Sequence, residues 1–315
     1  MPLDPRARRF LETLAAMNPP SALTLSVAER RAGLAHLLSF SGAPDEVAAV
    51  DQFELPGPDG GLTVRAYTPL SAHIGEKLPG MLFFHGGGLV AGSLDTHDPV
   101  CRSLSNASGC RVLSVDYRLA PEHRFPAAVV DGCAAAEWIA AHADELYIDR
   151  ERLGVSGDSA GATLAAVICH TLTVAGQVPL AFQFLLCPIM DFAAESDSRR
   201  RLAQGYLVDR DTLEHDLKHY LAPGADRADP RISPLRAADV SHLPPTSVHT
   251  AEFDPLHDEG RSYAERLRQA GVRTLYRCHP GMIHLFYGMR GLLTYAGVAF
   301  AQMGADIRSL LAPAE

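Results

Sequence analysis

The chain has no C-x-x-C cysteine pair, no uninterrupted apolar run near membrane-span length and no surplus of basic residues. Each absence closes off a class of function. Cys101, Cys110, Cys133, Cys169, Cys187 and Cys278 are scattered. In a chain of this length they are expected to be free, mostly buried thiols in a reducing compartment. None has the spacing of a zinc site, so no metal is expected. A membrane helix needs roughly 20 apolar residues, and no run approaches that. Met1 to Met17 carries Arg6, Arg8, Arg9 and Glu12 and lacks the apolar core of a signal peptide, so the expectation is a soluble cytoplasmic protein. The formal net charge is -9. A nucleic-acid binder would more often be basic, so nucleic acid is not an expected partner. Arg199-Arg200-Arg201 is a local exception and reads as a solvated loop or helix face. A GK[ST] phosphate-binding loop is also missing.

What is present fits a globular chain with a sizeable core. It has 315 residues, 47% hydrophobic and 21% charged. Residues 5–17 and 26–40 have helical spacing, with Leu11, Leu14 and Ala15 on one face and Leu34, Leu37 and Leu38 on another. Asn18-Pro19-Pro20 separates them. Strand patterns follow at 62–67, 81–84, 112–115, 152–156, 182–186, 247–251 and 274–278. Helical stretches lie between most of them, including 126–142, 257–270 and 294–311. This alternation implies an α/β fold with a mostly parallel central sheet flanked by helices. Active sites of such sheets lie beyond the carboxyl ends of the strands. Residues 191–225 break the alternation with a helix at 211–221 and no clear strand, as an insertion above the sheet would.

Gly157-Asp158-Ser159-Ala160-Gly161 is a G-x-S-x-G pattern between a short apolar strand and a helix. A serine on such a tight turn is pushed clear of the sheet, above a helix N-terminus. Its hydroxyl needs a base, and the base needs an orienting group. In this arrangement the acid and then the histidine follow the serine along the chain. Asp254 follows the strand at 247–251 and is the best acid; Glu252 and Asp258 are its local rivals. His284 lies just past the strand at 274–278 and is the best base; His279 is nearer the strand and reads as structural. His85-Gly86-Gly87-Gly88 follows another strand and can expose backbone N–H groups to an oxyanion, as can Ala160 at the helix start.

Two other motifs carry less. Gly86 to Ala91 fits G-x-G-x-x-[GA], a dinucleotide fingerprint, but the acidic residue at the next strand end, Asp116, stands too far along. His215 and His219 sit one helical turn apart without the glutamate of a zincin and read as a solvated helix face.

Taken together, His85-Gly86-Gly87-Gly88, Gly157 to Gly161, Asp254-Pro255-Leu256 and His284 resemble the bacterial hormone-sensitive lipase-like esterases, α/β-hydrolases of the GDSAG subgroup. Asp116-Tyr117-Arg118-Leu119-Ala120-Pro121-Glu122 is similar to a loop of that family. The resemblance implies carboxylester hydrolysis with no cofactor, and a small-molecule ester as substrate. It implies Ser159 as nucleophile, His284 as base and acid, Asp254 as orienting carboxylate, and Gly87, Gly88 and Ala160 as oxyanion donors. It also implies a helical cap from residues 1–48 and 191–225 over a catalytic domain of residues 49–190 and 226–315. Tyr206 and Leu207 match a cap segment that lines the pocket in such enzymes. Leu89, often aromatic in the family, and Leu285, often glycine, depart from its pattern near the expected pocket. Amidases, lactonases and non-catalytic receptors share the scaffold. The sequence leaves the oligomeric state open, a homodimer included.

Overall fold

The computed structural model describes residues 1–312. Eight strands form one sheet: β1 (Ala49–Gly57), β2 (Gly60–Thr68), β3 (Leu78–Phe84), β4 (Arg111–Val115), β5 (Ile148–Asp158), β6 (Phe182–Leu186), β7 (Thr246–Phe253) and β8 (Thr274–Ile283). Their order is β1-β2-β4-β3-β5-β6-β7-β8. β1 and β2 pair antiparallel, as do β2 and β4; from β4 to β8 every pairing is parallel. The helices are α1 (Pro5–Ala16), α2 (Val27–Leu38), α3 (Leu94–Ser108), α4 (Ala127–Ala141), α5 (Ala160–Ala175), α6 (Asp197–Arg201), α7 (Arg210–Tyr220), α8 (His257–Gln269) and α9 (Tyr295–Leu311).

Side chains alternate across the sheet and divide the core in two. Met81 and Phe83 of β3 join the cluster beneath α3 and α9, with Leu104, Ala299 and Met303. Leu82 and Phe84 face the other way and join Ile139, Ile168 and Leu267 beneath α4, α5 and α8. The central strands are therefore covered on both faces, and β3 and β6 read as near-continuous apolar runs. α5 is buried without a break from Ala160 to Cys169, which explains its lack of a polar stripe.

The sequence pattern does not reveal β1. Asp51, Gln52, Glu54 and Pro56 hide it, and its only buried residue is Leu55. Pairing with β2, rather than burial, makes it a strand. β8 runs past Cys278 to Ile283, through Pro280 and Gly281. A register shift between Ala251 and Phe253 lets Phe253 pair with Ile283, and Pro280 is tolerated because β8 lies at the sheet edge.

α1, α2, α6 and α7 stand outside the strand–helix alternation. The arginine run is not uniformly solvated. Arg200 and Arg201 are exposed and pair with Asp197, whereas Arg199 turns inward to Glu259 at 2.8 Å. Glu259 is only 3% exposed and needs a cationic partner there. His215 is likewise buried, not solvated: its ring bonds Asp216 and the Leu25 carbonyl. Among the described residues no helix is long and apolar enough to cross a membrane.

Candidate active site

β5 ends at Asp158 and α5 begins at Ala160, leaving Ser159 to make the turn alone. Ser159 has φ 52° and ψ -124°, a conformation that costs a non-glycine residue about 1–3 kcal/mol. The fold holds it there: its N–H donates to the Leu186 carbonyl at 2.8 Å. The flanking glycines are required by crowding. A Cβ on Gly161 would lie 2.0 Å from the Phe84 carbonyl oxygen, and one on Gly157 would lie 2.4 Å from the Gly161 backbone. The first turn of α5 directs its positive dipole end at this bend.

Asp254 follows β7 and His284 follows β8, so all three side chains emerge at carboxyl ends of parallel strands. His284 Nδ1 lies 2.7 Å from Asp254 Oδ2, and Nε2 lies 3.0 Å from Ser159 Oγ. A carboxylate only accepts, so Nδ1 carries the proton and Nε2 is free to accept from the serine hydroxyl. The other Asp254 oxygen accepts from the Leu256 N–H at 2.8 Å. Burial disfavours a charged His284 ring, but the Asp254 carboxylate outweighs it and raises the pKa above the ordinary 6.5. The end of β8 that leads to His284 is held by Glu252, which accepts from the Gly281 N–H at 2.7 Å.

The rivals go elsewhere. Glu252 braces the end of β8, and Asp258 accepts from the Ser198 N–H. His279 is buried within the fold and bonds His249 and Tyr295. Among the described residues one group of potential metal donors occurs, Cys187 with Asp254 and His284, their ligand atoms within 4.8 Å of one another. There the ring and carboxylate already bond each other.

The loop after β3 is pinned from below. Asp158 accepts from the Gly86 N–H at 2.8 Å and from the Tyr287 hydroxyl at 2.8 Å. Burial opposes the Asp158 charge, but His97 and these donors hold its pKa below the ordinary value. His97 Nε2 lies 3.4 Å from the carboxylate without hydrogen-bond alignment. The Tyr117 hydroxyl donates to the His85 carbonyl at 2.6 Å. The N–H groups of Gly87, Gly88 and Ala160 donate to no acceptor among the described residues.

Gly87, Gly88, Ser159 and His284 border a cavity of about 370 Å³. Leu207 and Leu285 also line it. Leu89 and Tyr206, expected at the pocket, do not border it. Leu89, at φ 62°, is 3% exposed and faces Val129, Leu164 and Val167 in the core. Tyr206 stacks on Phe253 with ring centroids 5.8 Å apart. Arg30 and Asp216 do border it, and sequence reasoning misses both. They are remote in sequence, so no local pattern flags them. Asp158 stands inside the G-x-S-x-G pattern, but its partners are remote too.

A mostly parallel sheet with a strand-to-helix serine and a hydrogen-bonded histidine and aspartate at neighbouring strand ends defines an α/β-hydrolase. A family model described as alpha/beta hydrolase fold matches residues 81–288. The chain belongs to that family, among its hormone-sensitive lipase-like esterases, and is a carboxylic ester hydrolase. It is 37% identical over 306 residues to an ethyl acetate hydrolase of Pseudomonas putida, covering 94% of this chain and 95% of that one. An arylesterase of Saccharolobus solfataricus is 36% identical, with 91% and 93% covered. Among solved structures, an ester hydrolase from the metagenome of Lake Arreo superimposes with TM-score 0.94 at 40% identity, with 98% of each chain covered. A hyperthermophilic esterase of Pyrobaculum calidifontis gives 0.92 at 38% identity, with 99% of each covered.

Proposed function

We propose that Ser159 is the nucleophile in hydrolysis of short- to medium-chain carboxylic esters, with His284 as general base and acid and Asp254 as orienting carboxylate. The unbroken hydrogen-bonded line from Asp254 through His284 to Ser159 Oγ carries this reading. His284 Nε2 takes the hydroxyl proton as Oγ bonds to the ester carbonyl carbon. The oxyanion gathers at the N–H groups of Gly87, Gly88 and Ala160, whose lack of acceptors among the described residues supports the role. The tetrahedral intermediate then collapses. The carbon–oxygen bond to the alcohol breaks, and Nε2 returns its proton to the departing oxygen. Water repeats the sequence on the acyl-enzyme and frees the acid.

Residues 1–48 and 191–225 serve as a cap. Leu14, Leu25 and Leu37 from the first segment and Leu207, Val208 and Leu213 from the second line the cavity. That lining suits small apolar esters, and the ethyl acetate hydrolase relative supports a short acyl chain. Six free cysteines support a cytoplasmic setting.

Turnover of p-nitrophenyl esters of graded acyl length, beside lactones and anilides, tests the reading. Short esters should turn over fastest, with a burst of alcohol release. Ser159→Ala should lower kcat by roughly 10⁴-fold or more while the protein stays folded. A folded Ser159→Ala variant with wild-type rates, or a preference for lactones or anilides, would contradict it.

A further inference from the structure

Asp216 is a buried carboxylate, 5% exposed, on the cavity wall beside the glycine loop. A Cβ on Gly88, whose φ is +67°, would lie 1.9 Å from Asp216 Oδ2. That oxygen is therefore within about 3.5 Å of the Gly88 α-carbon, one carbon–carbon bond beyond the gap. Gly88 is thus glycine for two reasons, its backbone angle and the carboxylate packed on it.

A negative charge there is wrong for the reaction. The tetrahedral oxyanion forms at the Gly88 N–H, next to the α-carbon that Asp216 touches. Arg30 answers this charge. Its Nε and Nη2 bond the two Asp216 oxygens at 3.1 and 2.7 Å, a fork that joins α2 to α7. The Arg30 side chain is 13% exposed and that of Asp216 7%, so solvent screens the pair poorly. His215 Nδ1 adds a contact to Asp216 Oδ1 at 3.0 Å. The same helix α2 reaches the loop again through Arg31, whose Nε donates to the Val90 carbonyl at 2.8 Å. The Arg30 charge also acts at the His284 ring, where Asp254 and Asp158 pull the opposite way.

We propose that Arg30 is a positioning residue for ester hydrolysis: it masks the Asp216 carboxylate that the α2–α7 contact seats against Gly88, keeping the oxyanion site free of a bare negative charge. The inference rests on Gly88 acting as an oxyanion donor. Like charges about 6 Å apart at an effective dielectric near 20 slow such a step by about 100-fold. A merely structural clasp and a charge mask differ in how the variants combine. If the pair only fastens two helices, losing both partners is at least as harmful as losing one. If Arg30 masks a charge, removing Asp216 as well restores the rate.

The test measures kcat and KM on p-nitrophenyl acetate for Arg30→Gln, Asp216→Asn, the double variant and Arg30→Lys, with folding checked by thermal melting. Arg30→Gln should lose about 30- to 100-fold in kcat. Asp216→Asn should lose less than about tenfold, chiefly through KM. The double variant should regain about tenfold or more over Arg30→Gln. A folded Arg30→Gln of wild-type kcat, or a double variant no faster than Arg30→Gln, overturns the proposal. Should Arg30→Gln not fold, Arg30→Lys decides: it keeps the charge and gives up the fork, so kcat within about fivefold of wild type is expected and a larger loss overturns it. Fluorophosphonate labelling of the wild-type protein separates the two layers. No adduct on Ser159 removes the hydrolytic reading itself, whereas a labelled serine with the wrong variant pattern removes only the role of Arg30.

Discussion

In the proposed mechanism, three side chains and two hydrogen bonds carry the chemistry at the residue scale. His284 must be neutral to accept the Ser159 proton, and its folded pKa lies above 6.5 because the Asp254 carboxylate outweighs burial. Activity should therefore fall as pH drops through a value above 6.5, measured as kcat/KM against a neutral ester. Asp254→Asn removes the charge that raises this pKa and the acceptor that fixes the tautomer. It should lower kcat by about 10⁴-fold. Any residual activity should show its acid limb at lower pH; an unshifted limb would count against the assigned partnership. These residues were legible because each stands where a strand stops and in the chain order usual for this fold. Leu89 and Tyr206 were not. Leu89 sits beside the glycine loop in sequence, but a positive φ turns it into the core. Tyr206 adjoins Leu207, yet it stacks on Phe253 instead of facing the cavity.

At the scale of elements, the glycine loop depends on a support that carries no chemistry itself. Asp158 takes the Gly86 N–H on one oxygen and the Tyr287 hydroxyl on the other. Asp158→Ala removes both acceptors, and the loop loses its anchor. We expect kcat to drop by about 10²-fold with KM little changed, as for loss of one oxyanion donor. A wild-type kcat would show that the loop holds its shape without this anchor. A second support joins β7, β8 and α9. The Tyr295 hydroxyl bonds His279 Nδ1, His279 Nε2 bonds His249 Nδ1, and His249 Nε2 bonds Asp306, which Arg277 also holds. The pattern closes with both rings neutral. Burial pushes the His279 pKa down to about 3, and lowers that of His249. The unfolded chain takes up these protons near 6.5 while the folded chain resists them. Stability should be complete above that pH and decline progressively below it, as read from denaturant midpoints. His279→Phe should flatten that decline, and an unchanged slope would place the acid sensitivity elsewhere. Neither network could be read from sequence, since each joins residues from separate elements. β1 was illegible for the opposite reason: its pairing is local, but its side chains are mostly polar and exposed.

For the molecule as a whole, two segments far apart in the chain close one cavity. α2 and α7 meet through Arg30 and Asp216, and the His215 ring of α7 also bonds the Leu25 carbonyl just before α2. Leu37 from the first segment and Leu207 from the second border the cavity, so together they should set how much acyl chain fits. Shortening both to alanine should raise the ratio of kcat/KM for a longer ester over acetate by about fourfold to fifteenfold, a methylene or two of added burial. An unchanged ratio would show that the chain-length limit lies outside these residues. The α/β alternation was visible from the strand patterns, and so was the departure near 191–225. The meeting of the two helical segments was not, because it depends on the folded chain bringing distant residues together. The central claim is that Ser159 attacks the substrate covalently, and intact mass with peptide mapping after fluorophosphonate treatment tests it most directly. One adduct on Ser159, absent from Ser159→Ala and much slower to form in His284→Ala, is the expected result. Undiminished ester turnover with no adduct, or with the adduct on another residue, would contradict the account.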